Sequence, residues 1–293
     1  MELIDGKKIS DEIKAEIVKE VLKMRDAGLR MPHLAAVIVG DDPASHTYVR
    51  NKEKSCTEVG FTSSIYRYPE DLTEEKLLDI IDFLNADDEV DGFIVQLPLP
   101  VHLSVDKILS RIKPEKDVDG FHPVNLGRMM QNQPSYLPAT PMGIVELLKR
   151  YKIDTEGKHC VVVGRSNIVG TPVSVLLSRN SNPGNCTVTL CHSKTPDIAA
   201  VCRQADILIA ALGKPGFVTA DMVKEGAVVI DVGTTRVPST ETKSGFRLKG
   251  DVDFEKVSKK CSYITPVPGG VGLMTVVSLL QNTLKAAKKE IYG

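Results

Sequence analysis

No stretch of this chain approaches the roughly 18 consecutive apolar residues that a membrane-spanning helix needs, so no such helix is expected. The opening Met1-Glu2-Leu3-Ile4-Asp5-Gly6 lacks a basic segment followed by an apolar one, and no secretory signal is expected there. The six cysteines (Cys56, Cys160, Cys186, Cys191, Cys202 and Cys261) include no CxxC pair. Reduced thiols in a cytoplasmic enzyme are the simplest reading, and no metal site is expected. A net charge of -1 gives no electrostatic reason to bind nucleic acid or an acidic membrane, so neither partner is expected. Low-complexity segments and short-period repeats are also missing. What remains is ordinary globular composition, with 42% apolar and 26% charged residues in 293, long enough for two domains.

Strand and helix patterns alternate along the chain. Residues 9–25 read as a helix rich in Lys and Glu with apolar Ile13, Ile17, Val21 and Leu22. His33-Leu-Ala-Ala-Val-Ile-Val-Gly40 is a short apolar run ending in Gly, the pattern of a buried strand. Asp41-Asp42-Pro43 then opens a helix expected to reach about Val59. A strand over 61–68, a helix over 73–86 capped by Thr73, and a strand at Gly92-Phe-Ile-Val-Gln-Leu97 stopped by Pro98 and Pro100 follow. This order predicts an α/β fold with a mostly parallel sheet covered on both faces. A second alternation begins after Thr140-Pro141, with strands expected at 159–163, 187–191, 206–211 and 227–231, spaced as in a nucleotide-binding fold. The expected domains are therefore 1–139 and 140–274, with a last helix from Thr275 to about Ile291 that could join either.

The loop Gly164-Arg165-Ser166-Asn167-Ile168-Val169-Gly170 sits between a strand and a helix, where a dinucleotide fingerprint belongs. Its pattern is GxSxxxG rather than GxGxxG, which leaves a plain strand-to-helix turn as the alternative. The next strand ends in Cys191-His192-Ser193-Lys194-Thr195, with no carboxylate to hold ribose hydroxyls. Ser193 with Arg165 could instead receive a 2′-phosphate, which points to NADP over NAD; the alternative is a set of surface polar residues. Thr234, after the strand ending at Asp231, is a candidate contact to the nicotinamide half. Pro266-Val-Pro268-Gly269-Gly-Val-Gly272 reads as a rigid wall that brings backbone close to a flat ligand.

Ser45, Tyr48 and Lys52 share one face of the helix after Asp42. Such a face is commonly a solvated stripe, but Gln96 ends a buried strand just before two prolines and must find polar partners. Lys116-Asp117-Val118-Asp119-Gly120 places two carboxylates in a turn that, taken alone, could be a charged loop.

Five motifs in order carry a family resemblance: Tyr48-Val-Arg-Asn-Lys52, Val95-Gln96-Leu-Pro-Leu-Pro100, Pro114-Glu-Lys-Asp-Val-Asp-Gly120, Gly164-Arg-Ser-Asn-Ile-Val-Gly170 and Pro266-Val-Pro-Gly-Gly-Val-Gly272. Together they resemble the bifunctional methylenetetrahydrofolate dehydrogenase/methenyltetrahydrofolate cyclohydrolase family, over nearly the whole chain. The resemblance implies a folate-binding catalytic domain, a Rossmann NADP domain, an active-site cleft between them, a folate substrate and a homodimer. It also implies that the last helix packs on the folate domain. In that resemblance Lys52 is the catalytic lysine, Gln96 the amide that orients it, and Tyr48 the ring beside the folate. Asp119 pairs with the pterin donors, an acceptor-only carboxylate facing adjacent N–H groups. Ser45, Pro268 and Gly269 are further candidates for the substrate pocket. Gly164, Arg165, Ser166, Ser193 and Thr234 are carried over to the cofactor. Two positions depart from the family pattern: Leu273 stands where proline is usual, and Ala139 where cysteine is frequent. Two rival readings remain open at this level. One is another NADP dehydrogenase on a similar scaffold, and the other a silent NADPH-binding sensor, against which the pairing of Lys52 with Gln96 argues.

Overall fold

In a parallel strand covered on both faces, every side chain must be apolar or satisfied. Leu34-Ala-Ala-Val-Ile-Val39 meets that condition, and all six residues are buried. The structure, a computed structural model, describes residues 1–240, 242 and 245–292. Its elements follow one another as β1 (Glu2–Leu3), α1 (Gly6–Asp26), β2 (His33–Val39), α2 (Pro43–Val59), β3 (Thr62–Tyr68), α3 (Glu74–Ala86) and β4 (Gly92–Val95). Helices α4 (Val105–Arg111), α5 (Pro123–Met130) and α6 (Ala139–Arg150) lead to β5 (His159–Val163), α7 (Gly170–Ser178), β6 (Thr187–Cys191), α8 (Ile198–Cys202) and β7 (Ile207–Ala210). A 3-10 turn at Ala220–Met222 precedes β8 (Val228–Asp231), β9 (Thr235–Pro238), β10 (Phe246–Lys249), α9 (Phe254–Val257), β11 (Tyr263–Ile264) and α10 (Val271–Ala287).

The chain forms two compact units, Asp11–Ala139 with Val276–Gly293, and Met1–Ser10 with Thr140–Thr275. In the first, β2 lies between β3 and β4 in a parallel sheet, with Val37 paired to both Tyr66 and Val95. Its core contains Val37, Leu77, Ile81, Leu84, Phe93 and Ile108. Each large side chain enclosed this way contributes about 1.5–3 kcal/mol of transfer free energy. Residues from α10 belong to this unit: Asn282 Nδ2 donates to Val118 O and Leu137 O, both at 2.9 Å. The Tyr292 hydroxyl donates to Asn125 Oδ1 at 2.8 Å.

The second unit carries six parallel strands in the order β1-β11-β8-β7-β5-β6. From β5 the chain first passes to β6 on one side and then to β7 on the other, which makes the β5/β7 boundary a topological switch point. A buried cluster including Val161, Val163, Leu208, Ala210 and Val229 underlies it.

The structure corrects the expected grouping of the first residues. Met1–Ser10 belongs with the nucleotide unit, because the Glu2 and Leu3 backbone pairs in parallel with Tyr263 and Ile264. Residues 271–274 are helical rather than loop, since the turn-forming Gly269-Gly270 ends just before them and α10 starts at Val271. An antiparallel hairpin of β9 and β10, in a polar stretch, was not expected from the pattern.

Candidate functional site

The first unit concentrates polar groups at the carboxyl ends of β2 and β4. Helix α2 starts where β2 ends: Asp42 accepts from Ser45 N at 2.7 Å and Pro43 occupies the first turn. This sets Ser45, Tyr48, Lys52 and Cys56 along one face, with Ser45 and Cys56 enclosed and Tyr48 and Lys52 half-buried. The Ser45 hydroxyl is buried without a hydrogen-bond partner.

Strand β4 ends at Val95, and Gln96 continues its ladder through a bond from its N–H to Val37 O at 2.9 Å. The Gln96 side chain is therefore fixed from its backbone outward. Lys52 Nζ donates to Gln96 Oε1 at 3.1 Å, and Gln96 Nε2 donates to Leu97 O at 2.6 Å. Burial lowers the Lys52 pKa from its ordinary value, and the negative charge of Asp119 acts in the opposite sense. For Asp119 the dominant effect is again burial, which raises its pKa, while Lys52 lowers it. The two side chains feel each other's charge in a partly desolvated site.

The turn carrying Asp119 is tied down residue by residue. Phe93 N donates to Lys116 O at 3.0 Å, which seats the turn along β4. The buried Lys116 ammonium donates to the Leu84 and Asp87 carbonyls at the end of α3, where its positive charge is favourable. Asp117 accepts from Phe121 N (3.2 Å), His122 N (2.7 Å) and Asn125 Nδ2 (2.9 Å). Asn282 holds Val118, and Asp119 O accepts from Ala139 N at 3.2 Å. The paired carboxylates of the motif thus differ in kind. Asp117 is a structural hub with its pKa pushed up to about 7 by burial, whereas Asp119 is the carboxylate whose charge acts on Lys52. Sequence reasoning missed Lys116, Asn125 and Asn282, whose partners are distant along the chain.

In the second unit, Gly164 has φ of +120°, and a Cβ there would stand 2.1 Å from Ala211 O, so this backbone approach requires glycine. Ser166 Oγ accepts from Val169 N at 3.2 Å and shapes the turn into α7. Arg165 and Ser166 are exposed at the end of β5, and Ser193 is exposed at the end of β6. A tight turn presents Ser193: His192 N donates to Thr195 Oγ1 at 2.9 Å and Lys194 N donates to His192 Nδ1 at 3.2 Å. No carboxylate stands among residues 191–195. Exposed Arg165, Ser166 and Ser193 beside the glycine cradle fit a dinucleotide that carries an additional phosphate. Thr234 is exposed after β8, and Gly269 accepts from Lys7 N at 3.2 Å through its carbonyl. The second unit therefore holds Gly164, Arg165, Ser166, Ser193, Thr234, Pro268 and Gly269, and the first Ser45, Tyr48, Lys52, Gln96 and Asp119.

Comparison with known proteins decides the family. The model described as "Tetrahydrofolate dehydrogenase/cyclohydrolase, catalytic domain" matches residues 4–119, and that described as "Tetrahydrofolate dehydrogenase/cyclohydrolase, NAD(P)-binding domain" matches residues 138–291. The chain belongs to the tetrahydrofolate dehydrogenase/cyclohydrolase family. It is 63% identical over 286 residues to the "Bifunctional protein FolD" of Porphyromonas gingivalis, covering 98% of this chain and 97% of the relative. It is 60% identical to the protein of the same name from Bacteroides fragilis over 292 residues, with 100% coverage of each chain. Among solved structures it resembles the bifunctional FolD methylenetetrahydrofolate dehydrogenase/cyclohydrolase of Campylobacter jejuni, with 49% identity, 99% coverage of each chain and a TM-score of 0.92. It is similar also to the Trypanosoma brucei FolD complexed with NADP and inhibitor, with 41% identity, 99% and 98% coverage and a TM-score of 0.93. Among the described residues, no helix of this family member is long and apolar enough to cross a membrane. All six cysteines are buried and free.

Proposed function

We propose that the protein oxidises 5,10-methylenetetrahydrofolate to 5,10-methenyltetrahydrofolate with NADP and hydrolyses that product to 10-formyltetrahydrofolate. The observation that supports the pair of activities best is the Lys52–Gln96 hydrogen bond between the middle of α2 and the carboxyl end of β4, in a chain of this family.

NADP, when bound, supplies the hydride acceptor. The residues proposed to hold it are Gly164, Arg165, Ser166, Ser193 and Thr234, with Arg165 and Ser193 on the 2′-phosphate. Asp119 takes the pterin donors and Tyr48 stacks beside the folate; Ser45 in the first unit, and Pro268 and Gly269 in the second, are proposed as further folate contacts. The oxidation itself forms a stabilised cation with little need for a protein base, so here the side chains mainly bind and orient.

The hydrolysis needs proton transfers. Burial lowers the Lys52 pKa and so increases its neutral fraction near physiological pH. The Gln96 oxygen holds the amine in place, and its own N–H is committed to the Leu97 carbonyl, which fixes the orientation of the amide. Lys52 accordingly moves the proton as water adds to the methenyl carbon and the ring opens. The enzyme acts in the cytoplasm, in keeping with six buried free thiols, and as a homodimer, as the family resemblance implies.

Following reduced cofactor and methenyl product together by absorbance, with NADP and separately with NAD, tests this reading. NADP reduction with transient methenyl that decays faster than its spontaneous hydrolysis is the expected result. Accumulating methenyl would remove the cyclohydrolase, and no reduction with either cofactor would remove the dehydrogenase. Light scattering on the purified protein tests the homodimer.

A further inference from the structure

Two enclosed carboxylates in the nucleotide unit have no role in the reaction just described. Asp251, a few residues after β10, is fully buried, and Asp231, at the end of β8, is nearly so. Asp251 Oδ2 accepts from Leu212 N at 2.6 Å and Gly213 N at 2.9 Å. Those amides follow β7, on the other side of the switch point from Gly164. The Asp251 N–H in turn donates to Asp231 Oδ1 at 2.8 Å, the same oxygen that accepts from Gly233 N at 3.0 Å. Asp231 Oδ2 accepts from Val252 N at 3.0 Å. The second oxygen of Asp251 is buried without a hydrogen-bond partner and faces Gly233, where an added Cβ would stand only 2.4 Å away.

One side chain therefore touches the loop after β7 and the loop after β8, both at the carboxyl edge where open α/β sheets bind ligands. A buried carboxylate with one oxygen left unpaired is a costly way to hold backbone alone, because a buried polar atom without a hydrogen bond destabilises. It does hold two adjacent N–H groups on a single oxygen with charge-assisted strength, which a neutral amide does more weakly.

We infer that Asp251 is a positioning residue for NADP: by holding Leu212–Gly213 and lying against Gly233, it sets the spacing of the two loops that face the dinucleotide. It does not touch the cofactor. The inference rests on the NADP-dependent reading above and adds a residue to it.

The test is Asp251→Asn in the full-length protein, assayed for NADP kinetics, for hydrolysis of supplied methenyltetrahydrofolate without NADP, and for melting temperature with and without NADP. The KM for NADP should rise about tenfold or more, with kcat reduced less than about threefold, a loss of uniform binding. Hydrolysis should stay within about twofold of wild type, and the melting shift produced by NADP should shrink. An unchanged KM for NADP with an unchanged NADP melting shift overturns the inference. So does a parallel fall of both activities, which marks Asp251 as general scaffold. If Asp251→Asn does not fold, Gly233→Ala disturbs the same contact from the other side; the same KM and melting outcomes then apply. A wild type that does not reduce NADP sinks the dehydrogenase reading, while the NADP melting shift of wild type against variant still decides this one.

Discussion

Lys52 and Gln96 meet through a single 3.1 Å hydrogen bond in which the lysine donates to an amide oxygen that its backbone and its own N–H hold in place. A lysine anchored this way, rather than by a carboxylate at hydrogen-bond distance, gains a fixed position without a strong rise in pKa. Burial then dominates and lowers the pKa.

Replacing Lys52 with Met should abolish hydrolysis of methenyltetrahydrofolate above the spontaneous rate, a loss of about 10²–10⁴-fold for a removed proton-transfer group. Methenyl should then accumulate during NADP reduction. Its decay at the wild-type rate in the variant would remove Lys52 from the mechanism.

Asp119→Ala should weaken folate binding by roughly 2 kcal/mol or more if a charged hydrogen-bonded pair is lost, measured as the folate Kd. Asp119→Asn should also shift the pH profile. The Asp119 charge raises the Lys52 pKa, so its removal lowers that pKa further. The rising limb of cyclohydrolase kcat against pH should move to lower pH; a shift to higher pH would contradict proton transfer by neutral Lys52.

Ser193→Asp places a carboxylate at the end of β6, next to where the 2′-phosphate is proposed to sit. The ratio of kcat/KM for NADP to that for NAD should fall by about tenfold or more, since like charges repel and an acidic residue there suits ribose hydroxyls. An unchanged ratio would move the phosphate site away from Ser193.

Asp117 has its pKa pushed up to about 7 by burial, above its ordinary value of 3.8. The folded protein thus holds this proton more tightly than the unfolded chain. The associated stability is full below about pH 3.8 and is lost as pH rises through about 7. In denaturant unfolding from pH 4.5 to 7.5, the stability of wild type relative to Asp117→Asn should decline as pH rises. A relative stability that stays flat or increases over that range would show that Asp117 is not protonated in this way.

The site was legible in the sequence wherever a residue's position follows from its own element. Asp42-Pro43 starts α2, so Ser45, Tyr48 and Lys52 fall on one face; the apolar run before Gln96 brings that residue to a strand end. What was not legible depends on distant partners. Lys116 reads as one more charge in an acidic loop, and only the fold reveals the two carbonyls, of Leu84 and of Asp87 just past α3, that it binds. Asn282 lies in a helix of mainly apolar residues and gives no sign that it holds Val118 and Leu137. β1 is two residues long, too short for any period, and exists because β11 offers its edge.

The two ends of the chain trade places between the units, and this bears on the order in which a ribosome allows them to form. A growing chain folds first what it has already emerged with. Asp11–Ala139 emerges early, yet the buried Asn282 that pins the Asp119 turn is among the last residues made. Glu2 and Leu3 emerge first and must wait for Tyr263 and Ile264. Neither unit is complete until synthesis is nearly over, so the half that carries Lys52 reaches its finished form only after the half that follows it has been made.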